Sequence, residues 1–191
     1  MKEISLNILD IAKNSTKAGA TLTTITIDET EDKLTLVIED NGCGMTEEQV
    51  KSVCDPFFTS RTTRKVGMGI PLLKLSAEQT DGSFNITSKA QAEYPESHGT
   101  KVTAIFNKKH IDFTPLGDVI FSITTLIQGD PDVDFLYVHT TPAGVVSLDT
   151  RELREQLGDV PLSTYEVIVW ITEYLKEQYD ELVPCSDAYS N

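Results

Sequence analysis

Apolar side chains recur every three to four positions at the start of the chain. Ile4, Ile8, Ile11, Ser15 and Ala18 fall on one stripe, which predicts an amphipathic helix over 4–18 stopped by Gly19. The period then drops to two. Thr21–Asp28 and Lys33–Glu39 alternate and are rich in β-branched residues, predicting a hairpin around the charged turn Glu29–Asp32. Thr46-Glu47-Glu48 places a capping hydroxyl before two acids and opens a short helix ending near Cys54. Asp55–Gly69 keeps no period and reads as a loop, whereas Ile70–Gln79 reads as a helix with Pro71 tolerated in its first turn. Two strands, Ser83–Ser88 and Thr100–Phe106, flank a polar loop. These elements predict an α+β fold, a two-layer α/β sandwich of mixed sheet and helices.

The second half continues the alternation less regularly. Leu116–Gln128 predicts a helix, and Phe135–His139 with Gly144–Leu148 a hairpin around Pro142-Ala143-Gly144. Asp149 with Glu152, and Ser163 with Glu166, match capping boxes opening two final helices, and Val183–Asn191 reads as a frayed tail. The expected organisation is a domain over 1–109 and a small α+β C-terminal extension over 110–191.

Charge sharpens this division. Residues 1–109 carry 13 Lys/Arg against 15 Asp/Glu, and residues 110–191 carry 3 against 15, so most of the net charge of −14 lies in the second part. Such acidity repels phosphate backbones and argues against nucleic-acid binding, while the nearly neutral first part leaves room for an anionic ligand. With no apolar run of ~18 residues and no leader, the expectation is a cytoplasmic chain that does not enter a membrane. Three cysteines at spacings unlike CxxC, and three scattered histidines, favour neither a disulfide framework nor a zinc site.

Four segments carry candidate chemistry. Asp10, Asn14 and Lys17 are four and three apart, so they fall within about 60° of one another beside the apolar stripe. A carboxylate, an amide oxygen and an ammonium are thereby presented together, a donor set that suits Mg²⁺ and phosphate. Alone, the same pattern is what a solvated helix face shows. Glu39-Asp40-Asn41-Gly42-Cys43-Gly44-Met45 leaves Asp40 at a strand end as an acceptor, followed by glycines that allow close approach; it is also an ordinary turn signal. Between Asp55 and Gly69, Thr59, Arg61, Arg64, Lys65 and Gly67-Met68-Gly69 combine hydroxyls, cations and glycines ahead of a helix N-terminus, which is what a polyphosphate needs. Gly99-Thr100 opens a strand.

Taken in order, Asn-Ser-Thr-Lys-Ala-Gly-Ala, Asp-Asn-Gly-Cys-Gly-Met, Asp-Pro-Phe-Phe-Thr, Gly-Met-Gly-Ile and Gly-Thr closely resemble the boxes of the GHKL, or histidine kinase-like, ATPases. The resemblance spans roughly residues 4–106. It implies that Asn14 holds Mg²⁺ against the triphosphate of ATP and that Asp40 accepts the hydrogen bond of the adenine amine. Gly42 and Gly44 would leave space for the ring, Met45 would line it, and Thr100 would sit near it. Gly67 and Gly69 would offer backbone N–H groups to phosphate beside Met68, with Thr59, Arg61, Arg64 and Lys65 on a mobile lid. Lys17 occupies a place where kinases often carry a basic residue.

One position departs from the pattern. Hydrolysing branches usually carry Glu four residues before the metal asparagine, as the base that activates water; here Asp10 stands one methylene shorter. Asp10 is therefore the catalytic candidate for slow hydrolysis or for phosphoryl transfer to a protein partner. The alternative is a non-hydrolysing, nucleotide-gated binding module whose acidic C-terminal half presents a surface to that partner. Only three residues precede the first helix, so no phosphoacceptor helix is expected ahead of it. His110-Ile-Asp-Phe-Thr-Pro-Leu116 is similar to such a phosphoacceptor segment, yet it lacks the acid beside His and follows a strand, so it reads as an exposed strand-end histidine. The length and acidity argue against mismatch repair. His98 reads as a cap of its loop, and Cys43 as a small filler beside the adenine pocket.

Overall fold

The structure is a computed structural model that describes residues 3–54 and 68–182 of the 191. The loop residues Thr59, Arg61, Arg64, Lys65 and Gly67, the aromatic pair Phe57-Phe58 and the tail Val183–Asn191 lie outside the described residues.

Packing, more than propensity, holds the first helix, α1 (Ile4–Lys17): a helix of that length is marginal alone in water. Ile4, Ile8 and Ile11 are each at most 3% exposed, and burying an aliphatic side chain of this size stabilises by about 1.5–3 kcal/mol. The backbone N–H groups of Ile4 and Ser5 donate to the carbonyls of Pro115 and Leu116, so the segment after residue 110 pins the start of α1. Its end comes where expected, with Gly19 at φ +75 after Ala18 and the Ala20 N–H returning to Ser15 O.

The sheet follows from the alternation. Strands β1 (Leu22–Glu29) and β2 (Lys33–Asp40) form the first hairpin, with α2 (Glu47–Val53) and α3 (Gly69–Glu78) after it. Then come β3 (Ser83–Lys89), β4 (Gly99–Asn107), α4 (Val119–Gly129), β5 (Asp134–Thr141), β6 (Gly144–Asp149), α5 (Thr150–Leu157) and α6 (Tyr165–Leu182). The strands stand in the order β3-β4-β2-β1-β5-β6. Among the described residues the β1–β5 pair is parallel and the other four pairs are antiparallel, so the sheet is mixed.

Register places one residue set on the helix-covered face. Ile25 is opposite Ile38 and Tyr137, Ile38 is opposite Val102, and Tyr137 is opposite Leu148. These apolar side chains join α1, α3, α4 and α6 in one core. On the other face Thr24, Thr26, Thr35 and Thr103 alternate with them, which gives the polar outer side of a two-layer α+β sandwich. The outer edge of β6 is closed by a side chain: Ser147 N–H donates to Gln178 Oε1 at 3.0 Å, and Gln178 Nε2 donates to Ser147 O at 3.1 Å.

Several boundaries differ from expectation for local reasons. The helix expected from Leu116 begins at Val119, because Gly117 takes φ +76 and Asp118 caps the Phe121 N–H. Thr46 forms a true capping box, although its partner is Gln49. Asp149 caps α5 through the Arg151 N–H and is also held by the Arg151 guanidinium, so that cap pairs with Arg151 instead of Glu152. Helix α6 starts at Tyr165, one residue later than a Ser163 cap would put it. No helix of the described residues is long and apolar enough to cross a membrane.

Candidate functional site

The strand-end acid is held from three directions. Asp40 closes β2, and its Oδ1 accepts the Gly42 N–H at 2.9 Å and the Thr100 N–H at 3.3 Å. Its Oδ2 accepts the Ser15 hydroxyl at 2.7 Å. Ser15 is the buried neighbour of Asn14, so one turn of α1 links the acid to the amide.

Backbone clearances explain the glycines. Gly44 stands at φ +64, and a Cβ there would lie 1.9 Å from the Lys89 carbonyl oxygen; a Cβ on Gly99, at φ +138, would lie 2.0 Å from Asp40 O. Side chains at either position would drive the β3–β4 end away from the loop at 41–45. Gly42 is buried, its missing Cβ about 3.0 Å from Ala18 Cβ.

Three further residues, Asn41, Ser88 and His98, supply the remaining loop contacts. Asn41 Oδ1 accepts the N–H groups of Thr21 and Leu22, tying the start of β1 to the end of β2. The Ser88 hydroxyl accepts the Met45 N–H at 2.8 Å and lies within hydrogen-bonding distance of Thr100 Oγ1 and Gly99 O. His98 Nδ1 sits 2.6 Å from the Gly42 carbonyl, a cap of the same loop. Ser15 carried a signal, as a polar residue on an otherwise apolar stripe; Ser88 and Asn41 carried none beyond turn chemistry.

The other predicted residues fall on the rim. Asn14 is half-buried, and no hydrogen bond among the described residues occupies its amide. Asp10 is exposed one turn earlier, and a Cβ on Gly69 would come within 3.0 Å of Asp10 Cβ, so the first residue of α3 abuts it. That helix start has neither a side-chain cap nor an acid in its first turn, as an anion-accepting terminus requires. The side chains of Lys17, in the last turn of α1, and Met68, 68% exposed, make no hydrogen bond or ion pair among the described residues. Cys43, expected as a small filler beside the adenine pocket, is exposed, while its N–H donates to Ala18 O.

A second polar cluster is built around buried His139 and Tyr137, with Glu29, Lys108 and Tyr179 half-buried about them. His139 is 2% exposed, with Nδ1 at 2.7 Å from Tyr179 Oη and Nε2 at 3.2 Å from Glu29 Oε2. Tyr179 Oη lies 2.5 Å from Tyr137 Oη, and Lys108 Nζ pairs with Glu29 Oε1 at 2.6 Å. Burial pushes the Tyr179 phenol up to about 12 and Tyr137 further still. Burial also pushes His139 below its ordinary value, against the pull of Glu29. His110 is half-buried between Asp81 and Asp112, each 3.7 Å away, and not exposed as its position suggested: the turn after β4 folds it back.

Comparison with known proteins fits this geometry. Residues 1–110 match the family of histidine kinase-, DNA gyrase B- and HSP90-like ATPases. A probable C4-dicarboxylate sensor kinase of Bacillus subtilis is 32% identical over 85 residues, 44% of this chain and 15% of its own. The sensor protein SrrB of Staphylococcus aureus is 34% identical over 94 residues, 47% of this chain and 16% of its own. The chain thus spans about a sixth of the length of these curated relatives. The Aquifex aeolicus MutL ATPase domain, solved with ADP, superposes with a TM-score of 0.53 at 15% identity, over 95% of this chain and 69% of that one. The N-terminal domain of a DNA repair protein gives 0.52 at 14% identity, over 78% of this chain and 53% of that one. At such identities the likeness is one of fold.

Proposed function

The chain belongs to the histidine kinase-, DNA gyrase B- and HSP90-like ATPases, and from that premise we propose that it binds Mg²⁺·ATP between α1, the β2 end and the start of α3 and turns it over. Asp40 reads the adenine amine, Gly42, Gly44, Met45 and Thr100 surround the ring, and Asn14 contributes the metal-facing amide. Lys17, Met68 and Gly69 lie on the phosphate side.

The observation that carries this reading is the Asp40–Ser15 bond beside an Asn14 amide that no hydrogen bond among the described residues occupies. A carboxylate offers about four acceptor positions, and among the described residues three donors fill three of them, which leaves one on Oδ2 for an amino group. The oxygen donor of Asn14 fits Mg²⁺, which prefers few protein oxygens. When bound, Mg²⁺ neutralises phosphate charge and orients the γ-phosphoryl group. Asp10, exposed beside Gly69, takes the proton from the attacking oxygen, whether that oxygen belongs to water or to a side chain of a protein partner recruited by the acidic second half.

Incubation with γ-labelled ATP, separating free phosphate from labelled protein, distinguishes the two acceptors. The Asp10→Asn variant should keep its nucleotide affinity and lose about 10²–10⁴-fold in turnover, the usual contribution of a positioned base. Unchanged phosphate release would remove Asp10 from the chemistry.

A further inference from the structure

At the β6 edge of the sheet, opposite the edge formed by β3, lies a groove of about 480 Å³. Its walls include Trp170 and Tyr174 of α6, Leu136 and Val138 of β5, and Glu152 of α5. Trp170 and Tyr174 stand four apart on the helix, and their rings stack with centroids 5.0 Å apart and planes 9° from parallel. They are nonetheless 47% and 37% exposed. An exposed aromatic pair beside aliphatic side chains has the composition of an interface anchor.

The surroundings select the occupant. At ~100° per residue, Glu177 and Glu181 of α6 fall within about 60° of the two rings. Glu152 is exposed on the facing wall, and none of these three carboxylates has an ion pair among the described residues. Residues 110–191 hold only 3 Lys/Arg against 15 Asp/Glu. A second copy of the chain would set this acidic rim against itself, and an uncharged apolar partner would leave the carboxylates unanswered.

We infer that the groove docks a basic, amphipathic segment of a protein partner, its aliphatic side chains against Trp170, Leu136 and Val138 and its Lys/Arg heads on the carboxylate rim. The inference takes up the partner in the proposed function and gives it a surface; because its test needs no nucleotide, failure of the groove and failure of ATP binding are read separately.

Trp170 is the only tryptophan of the chain, so its emission reports the groove directly. The probe is a Leu/Lys peptide of about 14 residues patterned as an amphipathic helix, added to the full chain. The expected result is a saturable change in Trp170 emission whose midpoint moves to higher peptide concentration as salt rises. The Glu152→Lys/Glu177→Lys double variant should bind about tenfold more weakly or worse. A charge-matched double variant on the exposed β3–β4 loop, Glu93→Lys/Glu96→Lys, should stay within about twofold of the parent. Equal weakening in both double variants would reduce the attraction to net charge and overturn the docking site. So would an emission that ignores the peptide, or a Leu/Glu peptide of the same pattern binding as tightly. Sedimentation as a dimer that Trp170→Ala returns to monomer would give the groove to a second copy instead.

Discussion

Two polar clusters sit at opposite ends of β1, on the same covered face of the sheet, and they differ in what they leave unspent. At one end Asp40, opposite Thr23, takes its three donors among the described residues from two backbone N–H groups and one hydroxyl, one fewer than its acceptor positions. At the other, His139, opposite Ile27, uses both ring nitrogens on Tyr179 and Glu29, while Glu29 divides its oxygens between His139 and Lys108. The first cluster is assembled mostly from main chain and has acceptor capacity left among the described residues; the second is assembled from side chains that satisfy one another. Burial and polarity alone would rank the second as the better site. Counting remaining hydrogen-bond capacity reverses that order.

The largest effect that would break this contrast is on nucleotide binding. Asp40→Asn replaces one carboxylate oxygen by a donor, which faces the adenine amine with like polarity. A hydrogen bond to a charged group is worth about 1.5–3 kcal/mol, so ATP affinity measured by calorimetry should fall about 10–100-fold. An unchanged affinity would remove the adenine assignment. The matching change in the second cluster, Tyr179→Phe, deletes the hydroxyl shared by His139 and Tyr137. It should lower unfolding free energy by about 1–3 kcal/mol in urea titrations, because two buried polar groups lose a partner, and leave ATP affinity alone. Should Tyr179→Phe weaken ATP binding as much as Asp40→Asn does, the two clusters are one functional unit.

The same contrast explains which parts were readable from the chain. Several contacts local in sequence were found by the pattern, namely the α1 stripe, the Gly19 stop and the β1–β2 hairpin, while the Arg151 partner of Asp149 and the Gly117 turn that delays α4 were not. Asp40 was legible because Asp-Asn-Gly terminates an alternating run. What the pattern could not supply were partners distant in sequence. Phe135–His139 read as half of a hairpin, which it is, yet nothing in it announces that β5 lies parallel to β1. For the same reason His139 read as a strand residue and not as a ligand of Glu29, 110 positions earlier. Ser88, 43 positions from the Met45 N–H it accepts, is an ordinary strand hydroxyl until β3 is laid against β4.

The smallest expected effect concerns acidity, and its sign separates the clusters once more. Burial pushes His139 below its ordinary 6.5, with Lys108 assisting and Glu29 opposing, so the unfolded chain binds that proton more readily. The stability that neutral His139 supplies is therefore complete above about pH 6.5 and is lost as pH falls below it. Burial resists ionisation of Glu29 too, but Lys108 and His139 outweigh it and hold the carboxyl below 4.5, so its contribution fades only at pH under that value. Neutralising part of a net charge of −14 on acidification relieves self-repulsion and acts in the opposite direction over the whole molecule. A difference measurement isolates the histidine. Urea midpoints of the parent should fall between pH 7.5 and 5.5 relative to those of His139→Gln, which has no proton to gain. Parallel midpoints in the two proteins across that range would show that the second cluster admits a charge without cost, and that its closure is less complete than its hydrogen bonds imply.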